Sequence, residues 1–139
     1  MTSFDHERLD VYQAAIDFVV LANDVVEHLP RGRGYLADQL QRAATSIPLN
    51  VAEGAGEFSP AEKVRFYRIA RRSATECAAI LDVCRKLELV CEERYCVGRE
   101  LLVRVVSMLV RMSRSRRGSD PGNVSGTGTG TGTGTRNSP

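Results

Sequence analysis

The chain has 139 residues, 42% of them apolar, which fits one domain with an ordinary hydrophobic core. Its formal net charge is +2, and no apolar run reaches the ~18–20 residues that a membrane-spanning helix needs, so no membrane association is expected. The acidic opening MTSFDHERLD lacks the basic and then apolar pattern of a signal peptide, so the sequence predicts a cytoplasmic protein whose four cysteines are reduced thiols.

Composition changes sharply near Arg117. From Ser119 onward Val124 is the one apolar residue, and seven of the twelve glycines fall in Gly118–Pro139, so a core can be built only from what precedes. Residues 1–117 are therefore expected to form a bundle domain and residues 118–139, with their alternating Gly-Thr run Gly126–Thr135, a disordered low-complexity tail. Charge is also unevenly placed. Residues 1–30 carry six acids against Arg8 alone, whereas residues 61–90 carry seven bases against four acids, a separation suited to self-association or to a polyanionic partner.

Apolar residues recur at helical spacing in four stretches, with no sustained strand-like alternation, which predicts an all-α fold. In the first, Leu9, Tyr12, Ile16, Val19 and Val26 form the expected core stripe, with Asn23 at a polar core slot and Pro30 as the stop. The second starts near Tyr35 and runs through Leu40, Ala44, Ile47 and Val51 to Gly54-Ala55-Gly56, where a left-handed cap is expected. Pro48 lies inside it and predicts a kink or short break near Thr45–Pro48.

The third stretch opens on Ser59-Pro60-Ala61-Glu62, a hydroxyl at the N-cap, proline at the first helical position and glutamate three residues on. Its expected extent is Pro60–Leu89, with Phe66, Ile69, Ser73, Cys77, Ile80, Cys84 and Leu87 inward. The fourth, about Glu92–Arg114, has one stripe of Tyr95, Leu102, Val105, Leu109 and Met112 and another of Val103, Val106 and Val110. A helix apolar on two sides packs on two sides, which predicts an oligomer. Short connections make successive helices antiparallel, hence an up-down-up-down four-helix bundle.

Catalytic and metal constellations are not expected. Cys77, Cys84 and Cys91 recur every seven residues, but thiolates two turns apart on one helix cannot share a zinc whose ligands lie ~2.3 Å away, so no metal or cofactor is expected. His6 and His28 are ~33 Å apart along a helix and cannot cooperate. Arg42, Ser46, Asn50 and Glu53 share one stripe of the second helix, and with Glu76 of the third they are expected to form a structural polar network, the arginine paired to a carboxylate. Lys63, Arg65, Arg68, Arg71 and Arg72 project from the third helix. Antiparallel packing brings Arg111 and Arg114 towards them, together forming a candidate nucleic-acid-binding surface with Tyr67 as the nearest aromatic.

The segment QLQRAATSIPLNVAEGAGE, with Arg42-Ala43, Ser46-Ile47 and Asn50-Val51-Ala52-Glu53-Gly54, followed by Phe66-Tyr67-Arg68-Ile69-Ala70 and Ser73-Ala74-Thr75-Glu76, resembles the large-subunit rRNA intervening-sequence protein family. Leu9-Asp10-Val11-Tyr12-Gln13 and Leu29-Pro30 are similar too, so the resemblance covers about residues 4–112. That family includes the accessory variability determinant of diversity-generating retroelements. The resemblance implies a non-enzymatic four-helix bundle, a homopentameric barrel, and a basic surface that binds RNA or DNA and a reverse transcriptase. The expected function is a non-catalytic oligomeric scaffold that binds nucleic acid, against the alternative of a protein-protein interaction module.

Overall fold

The computed structural model describes residues 2–118, with side chains through Arg114. The expected disordered tail, and the side chains of Arg116 and Arg117, lie outside the described residues. After a short 3-10 helix, Asp5–Arg8, come α1 (Asp10–Glu27), α2 (Gly34–Ala55), α3 (Pro60–Lys86) and α4 (Glu92–Gly118). In sequence order each helix packs on the next, and α4 returns to α1. Among the described residues the backbones of the diagonal pairs α1/α3 and α2/α4 do not approach each other closely, and their side chains meet in the shared core. With the short links His28–Arg33, Gly56–Ser59 and Leu87–Cys91, this closed ring is the four-helix bundle expected from periodicity.

The start of α3 is set by its cap. Ser59 Oγ accepts from the Glu62 backbone N–H at 3.3 Å and Pro60 occupies the first turn, as the sequence predicts. The Glu62 carboxylate reaches Arg65 instead of closing the box on the Ser59 N–H. At the other end α3 stops at Lys86, short of the expected Leu89. Glu88 takes a left-handed conformation (φ 58°), and the Leu89 and Glu88 N–H groups bond back to the Cys84 and Arg85 carbonyls, a Schellman closure with glutamate where glycine is usual.

The same corner is clipped across the turn. Tyr95 Oη donates to Asp82 at 2.6 Å, Arg85 lies 4.4 Å over the Tyr95 ring, and Arg85 pairs with Glu92 at 2.7 Å.

On α2 the short-break alternative is corrected: the helix runs unbroken through Pro48, whose missing N–H deprives only the Ala44 carbonyl and whose ring is buried. Its C-cap, Gly56, is right-handed (φ −85°), not left-handed. Glycine is needed two residues earlier, where a Cβ on Gly54 would lie 2.6 Å from the Tyr67 ring, so α2 and α3 approach closely here.

Expected core stripes match on α2, on α4 and on the second half of α3, where Leu40, Ile47, Val51, Cys77, Ile80, Cys84, Leu102, Val105 and Leu109 are buried. On α1 the buried face is Val11, Ala14, Ala15, Phe18, Ala22 and Val25. Leu9, Tyr12, Val19 and Val26 flank it, and Asn23 is exposed rather than in a core slot. On the first half of α3 the buried residues are Val64, Tyr67, Ala70 and Ala74, while Phe66, Ile69 and Ser73 are half-buried; at the far end Leu87, expected inward, is the C-cap and is exposed. No helix among the described residues is long and apolar enough to cross a membrane.

Candidate nucleic-acid interface

The bases expected to act together separate into three roles. Lys63 turns back to the end of α2, where its Nζ donates to the Gly54 carbonyl at 3.1 Å and the Ala55 carbonyl at 3.0 Å. These carbonyls lie at the negative end of the helix dipole, and the Gly54 carbonyl also accepts from the Glu57 N–H at 3.2 Å, so the ammonium completes the cap. Arg65 is tied to Glu62 (Nη2 at 3.0 Å) and lies 4.5 Å over the Phe66 ring. The hydrogen bond that Arg65 donates to Glu62, and then the Glu62 charge, raise the Arg65 pKa above the ordinary guanidinium value.

The third role is the one antiparallel packing predicts. Arg68 and Arg71 from α3 and Arg114 from α4 line one cavity of about 200 Å³, together with Val64, Val110 and Ser113. Among the described residues no carboxylate lines it, and none of the three arginines has an ion pair. Arg71 is half-buried, whereas Arg68 and Arg114 are exposed. Arg72 and Arg111 are exposed and lie outside the lining. Tyr67 is corrected as an aromatic neighbour: it is 1% exposed and packs under Gly54, so it has no face to offer a base. Sequence reasoning missed Ser113 and the two valines that form the walls, whose only signal is their register beside Arg114 and Arg68.

The polar network is smaller than expected. Ser73 Oγ donates to Ser46 Oγ at 2.8 Å across α3 and α2, and Asn50 Nδ2 donates to both the Ser46 carbonyl and Ser46 Oγ at 2.9 and 3.0 Å. Arg42, Glu53 and Glu76 are exposed and form no ion pair among the described residues, correcting the paired arginine. With α2 and α3 this close, the seam holds short side chains and the long charged ones extend into water.

Cys77 and Cys84 are buried free thiols, as their spacing suggests. Burial, reinforced by the charge of Glu76, pushes Cys77 up to about 12, and burial also raises Cys84. Cys91 and Cys96 are exposed, and Arg94 Nη1 lies 3.7 Å from Cys91 Sγ. At the two ends of the first helical segment, the His6 ring meets Tyr12 edge-on at 4.6 Å, and His28 Nδ1 is 2.7 Å from the Asp24 carbonyl.

Fold and site together define an all-α four-helix bundle with an arginine-lined cavity between its last two helices. The chain belongs to the 23S rRNA-intervening sequence protein family, whose model matches residues 7–111. It is also similar in fold to a crystal structure of a protein of unknown function from the S23 ribosomal protein family of Bacteroides thetaiotaomicron. The two share 21% identity with a TM-score of 0.69, covering 75% of this chain and 98% of that one. No curated protein matches it. Neither the family description nor the neighbour's states a catalytic activity.

Proposed function

We propose that this protein is a non-catalytic, oligomeric accessory protein that binds nucleic acid through the basic surface of α3 and α4. The observation that carries the reading is the convergence of Arg68, Arg71 and Arg114 on one cavity without a carboxylate. Guanidinium groups recognise phosphate oxygens through paired N–H donors, and phosphate contact supplies most sequence-independent affinity. The family description, which names a 23S rRNA intervening sequence, makes RNA the first polymer to test.

Self-association is the second half of the reading, through the outer face of α4. Val103 is 52% exposed there and continues with Val106, Ala74 and Ala78 into an apolar seam flanked by Arg99. The expected state is a homopentamer, about five times the 15.3 kDa chain by light scattering. Val103→Glu, a change at an exposed position, lowers that mass while helicity is retained. A wild-type mass equal to one chain contradicts it.

Salt titration of RNA and DNA binding tests the nucleic-acid half. Tight binding at low salt that weakens linearly in log affinity against log salt supports it. No binding at low salt leaves the alternative, an interaction module whose basic α3 face meets the acidic α1 of a neighbour. A reverse transcriptase is the protein partner to test on the nucleic-acid reading.

A further inference from the structure

We propose that the α3–α4 cavity is a receptor for a phosphomonoester dianion, the terminal phosphate of a nucleic-acid strand, rather than one more contact to an internal phosphodiester. The inference rests on the polynucleotide reading and goes beyond it by naming which phosphate the cavity takes.

The first argument is charge. Arg68, Arg71 and Arg114 bring three guanidinium groups to a space of about 200 Å³, and neither Ser113, Val64 nor Val110 offsets them. An internal phosphodiester carries one negative charge, so three cations on it leave a surplus. A monoester carries about −1.5 to −2 near neutral pH and presents three strong acceptor oxygens. That combination matches donors arriving from two walls, Arg68 and Arg71 three residues apart on α3 and Arg114 across from them on α4.

The second argument is shape. A surface that tracks a backbone spreads its cations along a line, whereas these three line a concavity. Val64 and Val110 contribute apolar surface beside the arginines, which lowers the local dielectric on that side of a bound anion. The Ser113 hydroxyl adds a neutral donor. Arg72 and Arg111, exposed one turn or less from the cavity residues, are placed to meet the phosphates that follow the end.

Arg71, the half-buried one of the three, has no carboxylate partner among the described residues, and an anion in the cavity supplies one. A strand end is preferred over a small phosphate because the flanking bases extend the positive surface beyond the cavity.

The test is fluorescence anisotropy of the full chain with one short single-stranded RNA carrying a 5′-phosphate, a 3′-phosphate or hydroxyls at both ends. Inorganic phosphate and a phosphoserine peptide serve as competitors. One phosphorylated form is expected to bind about tenfold more tightly than the hydroxyl form, a difference of about 1.4 kcal/mol. That preference shrinks as pH falls through about 6, where the monoester takes up a proton. Arg68→Ala/Arg114→Ala brings the preference close to unity. Arg72→Ala/Arg111→Ala weakens all strands alike and keeps it. Equal binding of all three strands by the wild type overturns the end receptor while leaving the polynucleotide reading in place. Binding of none at low salt overturns both. Competition by the phosphoserine peptide as strong as by the phosphorylated strand also overturns the assignment to a strand end.

Discussion

Gly54 is held to glycine by the ring of Tyr67. An alanine in an open helical position gains about 1 kcal/mol over glycine, whereas overpacking a core costs about 1–3 kcal/mol. Here the new Cβ would sit 2.6 Å from a rigid ring that is itself 1% exposed, so the clash prevails. Gly54→Ala is expected to lower the urea midpoint, corresponding to a net loss of about 1–2 kcal/mol. A stabilised variant would mean that α2 and α3 separate without cost.

Cys77 makes a pH prediction at the same scale. Its folded-state value is raised from 9.0 to about 12, chiefly by burial, so its contribution to stability is complete below about 9. As pH rises towards 12 the unfolded chain loses the proton first, and stability falls. Cys77→Ala flattens this alkaline decline, which chemical denaturation at a series of pH values reads directly. An unchanged slope would show that the thiol is not the group responsible.

At the scale of the helix, Lys63 belongs to the fold. Its ammonium closes the end of α2 through two carbonyls, and charge-assisted bonds of this kind contribute about 1.5–3 kcal/mol when fully sheltered. Since the group is half-buried, Lys63→Met is expected to cost about 1–2 kcal/mol in urea denaturation while leaving the salt dependence of RNA binding unchanged. Wild-type stability with a flatter salt dependence would return Lys63 to the interface.

What could be read from spacing at this scale depended on alanine. On α2 and α4 the core face is marked by large residues such as Leu40, Ile47, Leu102 and Leu109, and their register is correct. On α1 and the first half of α3 the buried face includes Ala14, Ala15, Ala22, Ala70 and Ala74, small residues that allow close packing but give a weak amphipathic signal. Larger flanking residues, Ile16 and Phe66 among them, pulled the expected stripe to one side. The meeting of Arg68 and Arg71 with Arg114 was legible because short connections force α3 and α4 to be antiparallel. The destinations of Lys63, Arg42 and Glu76 were not, since a long side chain can reach a carbonyl, a carboxylate or water from one helical position.

Across the whole molecule the charges are unevenly placed. Asp10, Asp17, Asp24 and Glu27 are exposed on α1, the helix diagonal to α3, while Arg68, Arg71 and Arg114 gather at the α3–α4 seam. A small net charge thus coexists with a field that attracts a polyanion to one side and repels it from the other, and repetition in a ring would multiply the attractive side. The most direct test of this account is the salt dependence of RNA binding for Arg68→Ala/Arg71→Ala/Arg114→Ala beside the wild type, with helicity and native mass measured on both. The account predicts intact helicity and mass, weaker binding, and, for an RNA carrying a terminal phosphate, a log-log slope shallower by about one to two, since the three arginines meet one phosphate group of about two charges and each neutralised charge contributes about 0.7–0.9. An unchanged slope in a folded variant of wild-type mass would contradict it.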